Sequence, residues 1–237
     1  MATATTNFWQ DLHDTWPRQV ARGGPFTDRY PVALPDGRFL VLPLRPLPDG
    51  IHAVASLIAN QAALDVVEAL AAGMADLARP LAPELIIGLP TLGLAFAPHV
   101  ARMLGATRYV PLGYSRKFWY DDALSEPIVS ITSPGGAKRL YLDPNLQPLL
   151  AGRRVCVVDD AISSGTSILA VTRLLGRLDV EIAGIVVAMK QTTRWQQTLA
   201  DVDPALPSCV RAVFGCPLFE RVGGGWMPIA STTPDVP

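Results

Sequence analysis

Arg154-Val155-Cys156-Val157-Val158-Asp159-Asp160-Ala161-Ile162-Ser163-Ser164-Gly165-Thr166-Ser167 is the stretch on which the fold turns. Val155 to Val158 is a continuous apolar run rich in β-branched residues, the pattern of a strand buried on both faces. Two adjacent carboxylates follow. The polar turn Ser163-Ser164-Gly165-Thr166-Ser167 then opens a segment in which Ile168, Val171, Leu175 and Leu178 recur at helical spacing. The stretch therefore predicts a strand, a loop and a helix N-terminus.

Each part carries chemistry. Gly165 lets the backbone bend and come close to a ligand. The free N–H groups of the first helical turn and the positive end of its dipole favour an anion, and Ser164, Thr166 and Ser167 add three hydroxyl donors. No Lys follows the glycine, so the string is not the nucleotide-triphosphate loop G-x-x-x-x-G-K-[ST]. Asp159 and Asp160 would repel a phosphate, so they are expected to meet neutral donors of the same ligand, such as ribose hydroxyls. A sugar phosphate with free hydroxyls satisfies both halves. An isolated strand with two acids would suit a routine capped helix start; the whole string in register points to the ligand.

This string resembles the phosphoribosyl pyrophosphate (PRPP) motif of the type I phosphoribosyltransferases: four apolar residues, two acids, two mostly apolar residues, then a Ser/Thr/Gly turn. The resemblance implies that Asp159 and Asp160 face the ribose, and that the segment Ala161, Ile162, Ser163, Ser164, Gly165, Thr166 and Ser167 cradles the 5′-phosphate. It also marks a departure. Hypoxanthine-guanine enzymes carry an Asp in the turn where this chain has Ser163.

In an open α/β sheet, ligands bind beyond the carboxyl ends of the strands, so the other loops of interest follow the other strands. Gly88-Leu89-Pro90-Thr91-Leu92-Gly93 follows the run Leu85 to Gly88 and reads either as an anion nest or as an ordinary strand-to-helix turn. In the family this position is the pyrophosphate loop, which would assign Thr91, Leu92 and Gly93 to pyrophosphate. Adenine enzymes usually carry Arg where this chain has Leu92, and the small polar residues of the xanthine enzymes look closer, though their acid is missing. Arg116 and Lys117 follow the strand expected at Arg108 to Leu112. Alone they read as a solvated pair; the resemblance aligns them with the Arg-Lys pair at the start of the mobile loop of purine enzymes, in catalytic contact with pyrophosphate. Lys190 follows the strand expected over Ile182 to Ala188 and reads as a surface cap or, as in the xanthine-type enzymes, as a donor to a purine carbonyl. Phe219 and Trp226 lie in the tail, where the resemblance offers a hood that sandwiches the base; core packing explains them equally well. Asp121 and Asp122, two acids in a loop that should meet phosphates, have no role in this scheme.

The rest of the chain sets bounds. Its 237 residues, 49 % of them hydrophobic, suffice for one α/β domain with a small accessory part. A formal net charge of −1 leaves no global basic field for nucleic acid. Cys156, Cys209 and Cys216 form no C-x-x-C pair, which suits a reducing cytoplasm. His13, His52 and His99 are scattered, so spacing indicates no metal cluster held by side chains. The first residues lack a basic region followed by an apolar run, which predicts no secretory signal, and the apolar stretch Leu85 to Pro98 is too short and too broken to span a membrane.

Along the chain, Phe8, Trp9, Leu12 and Trp16 suggest a short amphipathic helix. Tyr30 to Leu34 and Arg38 to Leu44 suggest a hairpin around Pro35-Asp36-Gly37, and residues 53 to 79 the longest helix, with Gly73 as an interruption. Leu94 to Leu104 reads as a helix. Ile128 to Thr132 and Arg139 to Leu142 suggest a second hairpin, and Val210 to Phe214 the last strand. Strands alternating with helices predict an α/β fold with a doubly wound, mostly parallel sheet. The expected division is an accessory segment 1–84, a core 85–215 and a tail 216–237 that joins the hood. The resemblance implies a pentosyltransferase that joins a nucleobase, on these loops a purine, to PRPP. It implies Mg²⁺ held largely by the ligand and water, and a homodimer without nucleic-acid or membrane partners. A PRPP-sensing regulatory protein is the alternative, and salvage of a pyrimidine or a non-nucleobase amine a third reading.

Overall fold

The computed structural model describes residues 11–18, 20, 22–128 and 138–236. The chain starts with a short strand, β1 (Leu12–His13), antiparallel to β3 (Phe39–Pro46). The expected amphipathic helix is therefore absent from residue 12 onward, while Phe8 and Trp9 lie outside the described residues. Trp16 packs edge-on against Phe39 at 5.7 Å between ring centroids, so its apolar spacing serves a sheet and not a helix face. The hairpin of β2 (Arg29–Ala33) and β3 forms as expected, with Ala33 opposite Phe39 and Gly37 in the left-handed region at φ 86°.

Residues 53 to 79 do not form one helix. β4 (His52–Ala55) pairs with β3, a single 3₁₀ turn follows at Ala59–Gln61, and the helix α1 (Leu64–Ala78) starts only then. The Ala-Val-Ala run is helix-compatible in isolation, but cross-strand partners on both sides override that propensity. Gly73 does not interrupt α1. It lets the helix approach the sheet: a Cβ there would lie 3.1 Å from a Val213 methyl.

The core continues with β5 (Leu85–Gly88), a 3₁₀ turn over Leu92–Ala95, α2 (Ala97–Met103) and β6 (Val110–Pro111). The second hairpin pairs β7 (Ser125–Pro127) with β8 (Arg139–Tyr141); of the first arm expected at Ile128 to Thr132, all but Ile128 lies outside the described residues. Then come β9 (Arg154–Ile162), α3 (Thr166–Gly176), β10 (Glu181–Gln191), α4 (Arg194–Ala200), β11 (Val210–Cys216), β12 (Leu218–Val222) and β13 (Gly225–Pro228).

β11-β10-β9-β5-β6 form a five-stranded parallel sheet. Strand alternation divides its apolar residues between two layers. Cys156, Val158, Val186 and Val213 pack with α1 and α2; Val155, Val157, Ile185 and Ala212 pack with α3 and α4. On α3, Ile168, Val171, Leu174 and Leu175 are buried, each contributing about 1.5–3 kcal/mol of transfer free energy as an upper bound. The doubly wound α/β class is thus observed. A second, antiparallel sheet runs β1-β3-β4-β12-β13, with β2 on β3, so the two ends of the chain meet where β4 pairs with β12. α1, within the segment expected to be accessory, packs on β10, β11 and α2. No helix among the described residues is long and apolar enough to cross a membrane.

Candidate active site at the switch point of the parallel sheet

The strand order fixes where a ligand belongs. From β5 the chain passes through α2 to β6 on one side; from β9 it passes through α3 to β10 on the other. The loops after β5 and β9 therefore diverge, opening the crevice at which doubly wound sheets bind ligands.

β9 outruns its neighbour at this point. Pairing with β5 ends at Gly88 opposite Val158, closed by the Leu89 N–H donating to the Val158 carbonyl at 2.9 Å. Beyond it, Asp159, Ala161 and Ile162 pair only with β10, opposite Val187, Met189 and Lys190. The strand thus continues through both acids instead of stopping at Val158. β10 likewise extends past Ala188 to Gln191, so Lys190 lies within a strand rather than after one.

Asp159 is only 7 % exposed. Its Oδ1 accepts the Asp160 N–H at 2.9 Å, and the nearby Gly93 N–H also favours its charged form. Burial, then the neighbouring Asp160 charge, hold the Asp159 carboxyl well above the usual carboxylate range, against the pull of those two donors. Burial raises Asp160 as well. The pair therefore carries negative charge at a cost that hydroxyl donors or a cation would offset. Gly93 is in direct contact: a Cβ there would lie 2.7 Å from Asp159 Oδ1 and 2.8 Å from its Cα. The loop after β5 meets β9 at this point.

The turn after β9 forms as read. Gly165 sits at φ 82° and precedes the first residue of α3, and Ser164 Oγ lies 3.0 Å from Thr166 Oγ1. Asp159, Ala161, Ser163, Ser164, Gly165 and Ser167 surround a cavity of about 150 Å³. Tyr114, not singled out from sequence, joins them. Burial, together with the Asp159 and Asp160 charges, raises its pKa. A Tyr two residues past a strand end was the available signal, masked by the two cations that follow it.

Other expected residues sit elsewhere. Thr91 is exposed and precedes the 3₁₀ turn, so within the loop expected to meet pyrophosphate it is Gly93 that touches Asp159. Arg116 donates from Nε to Asp122 Oδ1 at 2.7 Å, and Asp121 accepts the Ala123 N–H, which gives the two unexplained acids local roles. Lys117 is exposed, and the structure records no contact of either cation with the acidic pair. Lys190 is 5 % exposed; its Nζ donates to the Asp235 carbonyl at 3.1 Å and lies 5.7 Å from the Trp195 ring centroid. Phe219 and Trp226 are corrected outright as stacking surfaces. Phe219 is 0 % exposed and packs edge-on to Phe26 and Tyr30; Trp226 is 5 % exposed, with the Arg221 guanidinium over its ring at 4.4 Å. Both rings are spent on the core of the antiparallel sheet. Among the described residues, no three His, Cys, Asp or Glu side chains are grouped to hold a metal ion.

Comparison with known proteins adds an independent line. A family model described as a phosphoribosyl transferase domain matches residues 53–212. Among solved structures, adenine phosphoribosyltransferase from Leishmania tarentolae is similar at 16 % identity and TM-score 0.52, over 69 % of this chain and 75 % of that one. The enzyme from Rhodothermus marinus DSM 4252 is similar at 22 % identity and TM-score 0.50, over 73 % and 93 %. That from Trypanosoma brucei, in complex with AMP, pyrophosphate and ribose-5-phosphate, is similar at 14 % identity and TM-score 0.52, over 69 % and 70 %. At these identities the likeness is one of fold. No curated protein sequence matches. The match runs from β4 into β11 and takes in the whole switch-point crevice; on it, the chain belongs to the phosphoribosyl transferase domain family and is an enzyme of the pentosyltransferase class.

Proposed function

We propose that this enzyme joins a ring nitrogen of a nucleobase, a purine in the first instance, to C1 of PRPP with release of pyrophosphate. The observation that carries the reading is the contact of Gly93 with the buried Asp159 at the switch point, beside the Ser163–Ser167 turn that opens α3. That contact brings together the loop after β5, the Asp159–Asp160 pair and the Ser163–Ser167 turn, which supports reading them as pyrophosphate loop, ribose-facing acids and phosphate cradle.

In this reading Asp159 and Asp160 accept hydrogen bonds from the ribose hydroxyls. The first N–H groups of α3 and the hydroxyls of Ser164, Thr166 and Ser167 hold the 5′-phosphate. The C1–O bond breaks with its electron pair leaving on pyrophosphate, the base nitrogen supplies the pair for the new C1–N bond, and its proton is lost to solvent. Arg116 and Lys117 meet the leaving charge, for which Arg116 must exchange Asp122 for pyrophosphate. The donor set fits Mg²⁺: two adjacent carboxylates whose proton affinity is raised by burial, and for Asp159 also by the Asp160 charge, would be relieved by a cation shared with ligand oxygens. When bound, that ion supplies neutralising charge to the pyrophosphate. The division into core, accessory segment and hood, a homodimer, and a reducing cytoplasmic setting for the three free cysteines complete the proposal.

Pyrophosphate release by purified protein supplied with PRPP, Mg²⁺ and a panel of bases tests it. Turnover with a purine is expected. Tight PRPP binding with no turnover on any base would replace the transferase reading with that of a sensor.

A further inference from the structure

The turn that opens α3 is fastened from behind by α4, and the tie runs through Arg194, the first residue of that helix. Arg194 Nε donates to the Ser163 carbonyl at 3.2 Å. Two residues further along the turn, Gly165 packs against the same helix: a Cβ there would lie 3.2 Å from Leu199 Cδ2 and 3.5 Å from the Trp195 carbonyl oxygen. The start of α4 is held in turn by Thr192. Its N–H donates to the Cys216 carbonyl at 2.8 Å, and its carbonyl accepts the Trp195 indole N–H at 2.9 Å. Thr192 holds φ 58° to make both bonds, a left-handed conformation that β-branched residues avoid. Such strain persists only where the surroundings over-determine it.

The placement of Arg194 does nothing for α4 itself. A cation in the first turn of a helix is opposed by the helix dipole. The side chain is exposed, and among the described residues no carboxylate pairs with it; its side-chain hydrogen bond goes to the Ser163 carbonyl. That bond decides where the next N–H points. The Ser163–Ser164 peptide is trans, and in a planar trans peptide the C=O and the following N–H point in opposite directions. With the Ser163 carbonyl turned toward α4, the Ser164 N–H is turned away from it. Among the described residues no acceptor takes that N–H, and Ser163 and Ser164 both border the cradle cavity of about 150 Å³.

We infer that Arg194 is a positioning residue for the 5′-phosphate of the substrate: by holding the Ser163 carbonyl against α4 it aims the Ser164 N–H into the cradle, at a phosphate oxygen. The inference rests on the reading of the Ser163–Ser167 turn as a phosphate cradle. Arg194 acts through the peptide and needs no contact with the phosphate. Without the tether the peptide is free to rotate about its flanking bonds, and the N–H is offered to water as readily as to the ligand.

Calorimetric titration of wild type, Arg194→Met and Arg194→Gln with ribose 5-phosphate, and with pyrophosphate and Mg²⁺, tests this. Methionine keeps an unbranched stem and removes the N–H. Glutamine places an uncharged N–H at the same number of bonds from Cα as the arginine Nε. Arg194→Met should weaken ribose 5-phosphate binding about 10- to 100-fold, the loss of one hydrogen bond to a charged group, and leave pyrophosphate binding unchanged. Arg194→Gln should recover most of that loss. In turnover, Arg194→Met should raise KM for PRPP and keep kcat within about two-fold, because the 5′-phosphate is held alike in the ground and transition states. Wild-type affinity for ribose 5-phosphate in Arg194→Met, an equal loss for pyrophosphate, or a loss that Arg194→Gln does not recover would overturn the inference; the last would make the guanidinium charge, and not the tether, the working feature. Wild type that binds no ribose 5-phosphate would fail the phosphate reading of the turn and this inference with it, a result distinct from wild-type binding that survives in Arg194→Met.

Discussion

Gly93→Ala probes the junction of the two loops with one methyl group. The added Cβ would lie 2.7 Å from Asp159 Oδ1, 2.8 Å from Asp159 Cα and 2.9 Å from the Val158 carbonyl oxygen. Two of these are backbone atoms of β9, so no side-chain rotation relieves them. Carbon atoms prefer separations of about 3.5–4.0 Å, so the loop and β9 must part by roughly 1 Å. Overpacking of this kind costs about 1–3 kcal/mol of stability. The same displacement moves Asp159 against the Ser163–Ser167 turn, and a 1 Å misplacement of a binding group can cost on the order of 100-fold in rate. Urea denaturation gives the first quantity and kcat/KM for PRPP the second. Gly73→Ala is the control, because its Cβ meets only Val213 methyls at 3.1 and 3.2 Å, far from the crevice. It should leave PRPP turnover unchanged. Wild-type midpoint and wild-type kcat/KM in Gly93→Ala would refute the packing argument.

Three further outcomes are expected. The raised carboxyls of Asp159 and Asp160 favour the folded state below their ordinary value of 3.8, and that contribution is lost as pH rises through their higher folded values. Asp159→Asn/Asp160→Asn should therefore be more stable than wild type near neutrality, with a flatter decline above pH 3.8; parallel urea-derived pH curves for the two proteins would contradict this. Phe219→Ala should destabilise by about 3–5 kcal/mol, because the ring is core; a purine-affinity loss at wild-type stability would restore it as a stacking surface. Lys117→Ala should lower single-turnover rate more than PRPP affinity, since charge on pyrophosphate grows as the C1–O bond breaks; a loss of affinity alone would remove its catalytic role.

The parts legible in the sequence are those whose cause is local. An apolar β-branched run, two acids and a glycine turn specify β9 and the start of α3 without reference to distant residues, and the alternation of strands and helices gives the doubly wound class. The misreadings have distant causes. Ala53–Ala55 is a strand because Leu218 and Phe219, from the other end of the chain, lie opposite it. Leu12 and Trp16 serve Leu40 and Phe39 across a sheet. Phe219 and Trp226 look like free aromatics until Phe26 and Tyr30 close around the first and Arg221 covers the second. β9 and β10 run on through Asp160 and Lys190 because they pair with each other, a stabilisation that overrides the usual reading of a charge as a strand end. Thr192 carried no signal, since nothing in a Thr-Thr pair announces a left-handed backbone.

PRPP binding to the Asp159–Asp160 cradle is the central claim, and its most direct measurement is a titration of wild-type protein with PRPP and Mg²⁺, followed by melting temperature. Binding to the folded state alone predicts a rise in stability of about 2.7 kcal/mol at ~100 times Kd, with ribose 5-phosphate competing for the same site. No shift at millimolar PRPP, or a shift that survives intact in Asp159→Asn/Asp160→Asn, would contradict it.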